Sequence, residues 1–413
     1  MAPTTTSPIP LYFLNSHPIQ YFAPLYRKIG ALAEFDLEVL FCSSHGLGGE
    51  LDREFGTRVK WDIPVLEGYR SRFLKNHSFS PGIYGFWGLL NLGLIPLLFS
   101  KKRGVLVVHG WGYASNLLAL LVGRLAGHTV CLRGETPACH EDRFSGWRRS
   151  LRSFFVNNLL GRLAHFCLYI GDENRRFYLR YGIPEKKLVF TPYAVDNARF
   201  GSEADRMLPQ RESLRMELGL PIDKVVVLCS GKYIPKKRPL DLLHAFAQCP
   251  TKEKAHLVFM GEGSLRAEME RAIARGGLGN VTLTGFVNQS EVSKYYAAAD
   301  LFVMCSDYGE TWGLSTNEAM NFQLPVLLSD RTGCCADLVE PGLNGYVFRT
   351  GDVQALAEKL DAFISMSPEQ RRRMGAHSRR IIGRYSYDRI IEGLREVGRR
   401  RFPSSSAALT KAP

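Results

Sequence analysis

Short runs of Val, Ile, Leu and Phe alternate with amphipathic stretches along most of the 413-residue chain. The runs predict strands at 10–15, 36–42, 105–109, 129–133, 165–170 and 187–191. A second set is predicted at 225–231, 256–261, 281–286, 301–305 and 325–329. These runs show little polar alternation, the pattern of parallel strands covered on both faces. Segments between them, such as Pro239 to Gln248 and Leu265 to Arg275, carry apolar residues at helical spacing. Alternating strand and helix predicts a doubly wound α/β architecture.

The stretch 197–223 is polar and has no strand signal, so a linker is expected there between domains at 1–196 and 224–385. Two domains also suit the length. Helices rich in Arg and Glu follow at about 353–401, and 403–413 reads as a disordered tail. Residues 82–99 carry no charge and reach the lower edge of a membrane span, but Asn91 and Pro96 argue for a surface or core helix instead. The first ten residues have no basic, apolar signal pattern, and a cytoplasmic protein is expected.

The formal net charge of +13 favours anionic partners, such as nucleotides, phospholipid surfaces or nucleic acid; a solvated basic surface is the plain alternative. Nine cysteines, an odd number without a C-x-x-C pair, read as reduced thiols in apolar runs. Trp147, Leu151, Phe154 and Phe155 recur at helical spacing, with Arg148, Arg149 and Arg152 largely between them. That is an apolar face beside a basic one, fit either for an anionic membrane surface or for packing on the domain's own sheet.

Four strand ends carry candidate chemistry. Glu310-Thr-Trp-Gly-Leu-Ser-Thr-Asn-Glu318 follows a buried run, and a helix is expected to begin near Gly313. A strand, loop and helix start gather free amides and the positive end of a helix, which binds anions. Ser230-Gly231-Lys232 with Lys236, Lys237 and Arg238 follows another run and places cations where α/β sheets bind ligands. His109 and the pair Arg133 and Glu135 end strands of the first half, although a structural histidine and a salt bridge explain them equally well. No Asp is followed two residues later by another Asp, so no paired-Asp metal site is indicated. No P-loop, zinc spacing or nucleophile elbow is present, and Gly261-Glu-Gly263 is only a partial dinucleotide fingerprint.

Taken together, these motifs resemble glycosyltransferase family 4, retaining enzymes of the GT-B fold. Gly231-Lys232 with Lys237, Gly261-Glu-Gly263, Thr284-Gly285-Phe286, Glu310 with Glu318 in an E-x7-E pattern, Gly342-Leu-Asn344-Gly345 and Pro192-Tyr-Ala-Val-Asp196 carry the likeness. His17-Pro-Ile-Gln20-Tyr stands where many members have a Gly-rich loop, and Lys232 where Arg is usual. The resemblance implies two facing Rossmann-like domains, with a last helix, 386–402, crossing back to the first. It implies that Gly231, Lys232, Lys237, Phe286, Gly313 and Leu314 bind a nucleotide-diphosphate-sugar. Glu318 would hold the ribose and Glu310 the transferred sugar. His109 would line the reaction centre, with His17, Gln20, Arg133 and Glu135 on the acceptor side. It implies no cofactor and no metal, and a glycan or lipid-linked acceptor. A nucleotide-sugar epimerase of the same fold and a catalytically dead sugar-binding scaffold are competing readings. Nucleic-acid binding is disfavoured because no basic-aromatic platform or helix-turn-helix is visible.

Overall fold

The apolar runs form two parallel sheets, each in its own unit, in a computed structural model that describes residues 7–48, 51–52, 57–58 and 62–402. In chain order the first strands are β1 (Ile9–Asn15), β2 (Phe35–Phe41), a two-residue antiparallel pair β3 (Leu51–Asp52) and β4 (Thr57–Arg58), and β5 (Ser71–Phe73). They are followed by β6 (Val105–His109), β7 (Thr129–Arg133), β8 (Phe166–Tyr169) and β9 (Leu188–Phe190). The later set is β10 (Val225–Ser230), β11 (Ala255–Met260), β12 (Val281–Leu283), β13 (Leu301–Met304), β14 (Val326–Ser329) and β15 (Gly345–Phe348).

The first sheet runs β5-β2-β1-β6-β7-β8-β9 and the second β12-β11-β10-β13-β14-β15. In each, strand order reverses beside the first strand of the set, between β1 and β6 and between β10 and β13. Ligands of open α/β sheets bind outside the carboxyl ends at such a reversal. The reason for the parallel pairing is plain in the burial: Leu11, Val107, Val227, Phe302 and Val326 are all wholly inaccessible. Cores of Val, Leu and Phe lie on the sheets of both units.

Unit one comprises Met1–Glu50, Pro64–Pro192 and Tyr387–Pro413, and unit two Leu51–Ile63 and Tyr193–Ser386. The stretch 197–223, read as a linker, instead carries the helices Asn197–Met207 and Arg211–Glu217, and both lie in unit two. Phe200, Ala204 and Leu214 give these helices a buried side, and Arg215 donates to the carbonyls of Ala298, Ile222 and Lys224. The final helix, Tyr387–Arg401, is grouped with unit one, where the Tyr387 hydroxyl donates to the Tyr21 carbonyl at 2.8 Å. The expected tail at 403–413 lies outside the described residues.

Residues 82–99 do not make one helix. They form a short 3-10 turn, Phe86–Gly88, and the helix Leu94–Ser100. Between them Asn91 is fully buried and donates to the carbonyls of Cys42, Leu74 and Lys75, so the chain turns around a satisfied amide. No helix among the described residues is long and apolar enough to cross a membrane. The helix Gly146–Phe154 buries none of its residues: Trp147, Leu151 and Phe154 are 70%, 59% and 64% exposed. Those three side chains therefore do not pack on the sheet, whereas Phe155, the next residue, packs against the core of unit one.

Candidate active site

Two loops meet at the carboxyl ends of β10 and β13. The loop after β10 holds Gly231, Lys232 and Lys237, and the loop after β13 holds Glu310. The Asp307 amide donates to the Lys236 carbonyl at 2.7 Å, and Arg238 reaches Asp307 at 3.1 Å. Lys237 Nζ is in direct ionic contact with Glu310 Oε2, and both side chains are largely shielded. The Glu310 carbonyl accepts the Gly333 amide at 3.2 Å. Arg238 itself sits in the left-handed region (φ 48°), a costly conformation for a side-chain-bearing residue, held by a 2.6 Å bond to Asp241. That bend starts the helix Pro239–Gln248 directly after Lys237.

The helix Leu314–Asn321 begins at Gly313, whose φ of 100° excludes most other residues. A Cβ there would stand 2.8 Å from Met304 Sδ. The first amides of the helix have no acceptor within it, and they carry its positive end toward the loops. Trp312, 2% exposed, donates to Asn317 Oδ1 at 2.8 Å and so ties the loop to the helix.

Glu318 is 2% exposed and lies one and a half turns in. Its Oε2 accepts the Tyr296 hydroxyl at 2.7 Å, and Gln289 approaches Oε1 at 3.5 Å. The Tyr296 hydroxyl also lies 3.4 Å from Ser230 Oγ at the end of β10. Gly231 and Gly261 cross closely here: a Cβ on Gly261 would lie 2.0 Å from the Gly231 carbonyl oxygen. Phe286, half-buried, follows Gly285 beyond β12, two strands away from β10. Cys229, Ser230, Gly231, Lys237, Met304 and Ser306 line a small cavity between the two loops.

In unit one, His109 ends β6 and Arg133 ends β7, and the Gly110 amide donates to the Arg133 carbonyl at 2.8 Å. The Phe22 ring lies 4.8 Å edge-on from the His109 ring and 5.4 Å from the Arg133 guanidinium. Arg133 bonds Glu135 at 2.6 Å. Burial, then the nearby Arg133 charge, push the His109 imidazole well below its ordinary pKa, so it is neutral at physiological pH. His17, past the end of β1, bonds Ser16 at 2.9 Å and stands 5.6 Å from the His45 ring. Gln20 is buried. The buried atoms Asn15 Oδ1, Gln20 Oε1 and His109 Nε2 have no hydrogen-bond partner. Orphaned buried polar atoms of this kind need an explanation.

Tyr296, Asp307 and Phe22 were not legible as site residues, whereas Arg238 belongs to the basic run read after β10. Tyr296 lies inside the unremarkable helix Val292–Ala298, and only three-dimensional pairing with Glu318 brings it out. All nine cysteines are free thiols, with burial raising Cys42, Cys167 and Cys229 to about 12. Among the described residues no group of three or more His, Cys, Asp or Glu could hold a metal ion.

Residues 210–381 match the family model of "Glycosyl transferases group 1". The Bacillus subtilis spore coat protein SA is 30% identical over 197 residues, 45% of this chain and 52% of its own length. The Arabidopsis thaliana sulfoquinovosyl transferase SQD2 is 30% identical over 196 residues, 47% of this chain and 36% of its own. The Streptomyces kanamyceticus alpha-D-kanosaminyltransferase is 29% identical over 199 residues, 46% and 50%. The chain thus spans about half the length, or less, of these relatives. Anabaena HepE, solved with UDP-glucose, superposes with a TM-score of 0.70 at 17% identity, covering 94% of this chain and 98% of that one. WaaG, a glycosyltransferase involved in lipopolysaccharide biosynthesis, gives a TM-score of 0.65 at 17% identity, covering 94% and 99%. The fold is therefore the GT-B type, with two Rossmann-like sheets.

Proposed function

We propose that this chain is a retaining glycosyltransferase that moves a sugar from a nucleotide-diphosphate donor to a glycan or lipid-linked acceptor. One juxtaposition carries the reading: Lys237 against Glu310, beside the start of the helix that holds Glu318. Lys232, Lys237 and the amides of Gly313 and Leu314 bind the diphosphate, with Gly231 allowing close approach. Glu318 takes the ribose hydroxyls and Glu310 those of the sugar, with Phe286 at the rim. The bond from the anomeric carbon to the diphosphate oxygen breaks while the acceptor oxygen bonds that carbon on the same face. The acceptor proton passes to the departing diphosphate, whose growing charge the lysines stabilise.

No cofactor is assigned, and the lysines do what a divalent cation does elsewhere. HepE was solved with UDP and with UDP-glucose, so uridine donors are the first to try. His109, Arg133, Glu135, His17 and Gln20 are assigned to the acceptor, whose hydroxyls can donate to the orphaned Gln20 Oε1 and His109 Nε2. The exposed side of Gly146–Phe154, with Arg148 and Arg149, is assigned to an anionic membrane surface where a lipid-linked acceptor resides. The test is incubation with a panel of nucleotide sugars and a crude lipid and glycan acceptor fraction, with the anomeric configuration of the product read by NMR. Retained configuration, with turnover surviving excess EDTA, is expected. An inverted product overturns retention. Donor consumed without an acceptor replaces transfer with epimerisation. EDTA inactivation that magnesium or manganese reverses overturns the metal-free assignment.

A further inference from the structure

Unit two has a second cavity, of about 360 Å³, remote from the loops after β10 and β13. Its lining includes Arg211, Asp300, Gln323, Pro325, Arg371 and Arg372. Asp300 immediately precedes β13, and Pro325 immediately precedes β14. The cavity therefore opens at the amino-terminal edge of the sheet, the opposite end from Lys237 and Glu310.

Its charges do not balance. Asp300 takes Arg215 at 2.6 Å, Arg211 at 3.1 Å and the Val226 amide at 2.8 Å, so both its oxygens are already engaged. Arg372 is matched by Glu369 at 2.8 Å. Arg371 reaches no carboxylate among the described residues. Its Nη1 donates to the carbonyls of Ile364 and Met366, and the rest of the fork has no protein acceptor. Arg211 likewise spends Nε on the Ala297 carbonyl and Nη1 on Asp300, leaving Nη2. Arg211 and Arg215 thus share one carboxylate, and Arg371, lining the same cavity as Arg211 and Asp300, has none among the described residues. Burial and mutual repulsion hold Arg211 and Arg371 below the usual guanidinium range. Uncompensated charge of this kind is costly unless an anion enters, and planar guanidinium forks suit a tetrahedral phosphoryl group.

We propose that this cavity is a second anion site that takes the phosphoryl group of a small molecule between Arg211 and Arg371. The test uses the full chain carrying Lys232→Ala and Lys237→Ala, so that phosphate held by the donor-loop lysines does not contribute. Inorganic phosphate and a hexose monophosphate are titrated calorimetrically at constant ionic strength, with chloride as the control. One phosphate per chain is expected. Arg371→Gln in the same background should weaken it about tenfold or more. Arg371→Lys keeps the charge but loses the fork and should fall between. Stronger binding of the hexose monophosphate would identify a phosphate ester as the occupant, and equal binding the free ion. Should Arg371→Gln fail a circular dichroism check of folding, Arg211→Gln serves in its place. Binding no stronger than chloride, or binding unchanged by both glutamine variants, overturns the site.

Discussion

Lys237 and Glu310 sit in contact although a reaction asks different things of each. In the proposed reaction the lysine turns its charge toward the departing diphosphate, and the carboxylate takes sugar hydroxyls. Lys237→Ala removes one preorganised electrostatic contact and should lower kcat/KM by ~10²–10³. A variant that keeps more than half of wild-type kcat/KM would remove Lys237 from this role. Glu310→Gln keeps the shape and releases the lysine from its partner. UDP affinity measured by calorimetry should then hold or rise, while kcat falls by about 10². A tenfold loss of UDP affinity would mean that Glu310 positions Lys237 rather than the sugar. Glu318 shows how far single residues can be read. Its spacing from Glu310 is visible in the sequence, but its burial under Tyr296 and Gln289 is not. Both partners come from other segments, with no motif to mark them.

Strands buried on both faces were legible because a continuous apolar run has few other interpretations. The strands that escaped are the two-residue pair β3 and β4, β5, exposed at all three positions, and β15, which starts at Gly345 directly after a turn. The helices at 197–217 escaped because polar and charged residues dominate their composition, although Arg211 and Arg215 cap carbonyls and pair with Asp300. Polarity alone does not separate a linker from a helix whose cations are used internally. At the helix Leu314–Asn321, Gly313→Ala should cost about 1–3 kcal/mol and weaken UDP binding, because the added Cβ meets Met304 in a left-handed turn. An unchanged melting temperature would show that the turn relaxes freely. Directly before β8, His165 Nδ1 accepts the Val130 amide of β7 at 3.0 Å, and burial first, then nearby arginines, lower its pKa to about 4. The unfolded chain takes up this proton below about pH 6.5, and the folded chain only near pH 4. Stability should therefore fall as pH drops through that window, by about 1 kcal/mol once the group's half-exposure is allowed for. His165→Asn should flatten the slope in denaturant titrations at pH 7 and pH 5; an unaltered slope would assign the effect to other groups.

Across the whole chain, exposed apolar side chains are unevenly shared. Unit one exposes Trp87, Phe99, Leu125, Trp147, Leu151 and Phe154 among others, whereas unit two exposes only Met216, Ile222 and Leu343 among its described residues. An exposed apolar surface beside cations fits an anionic bilayer better than water, and each surface basic residue adds ~1 kcal/mol. Arg148 and Arg149 are the ones to change. Arg152 already forks onto the fully buried Glu141 at 2.5 and 2.9 Å, and losing it would leave that carboxylate unpaired. The protein should sediment with phosphatidylserine vesicles at low salt. Trp147→Ser with Phe154→Ser, or Arg148→Glu with Arg149→Glu, should leave it in the supernatant. Wild type that never pellets would end the membrane assignment. The order of the chain carries a last consequence, for synthesis. Unit two is continuous from Tyr193 to Ser386, apart from a short segment at 51–63, whereas unit one needs Tyr387 onward. On a translating ribosome the later unit can close as soon as residue 386 clears the exit tunnel. The earlier one must wait, its sheet already made but Gly393 not yet laid against the Phe190 carbonyl and Thr191. A released chain cut short at residue 386 should thus hold a finished second half behind an unfinished first, and chaperones would find their substrate at the end that was made first.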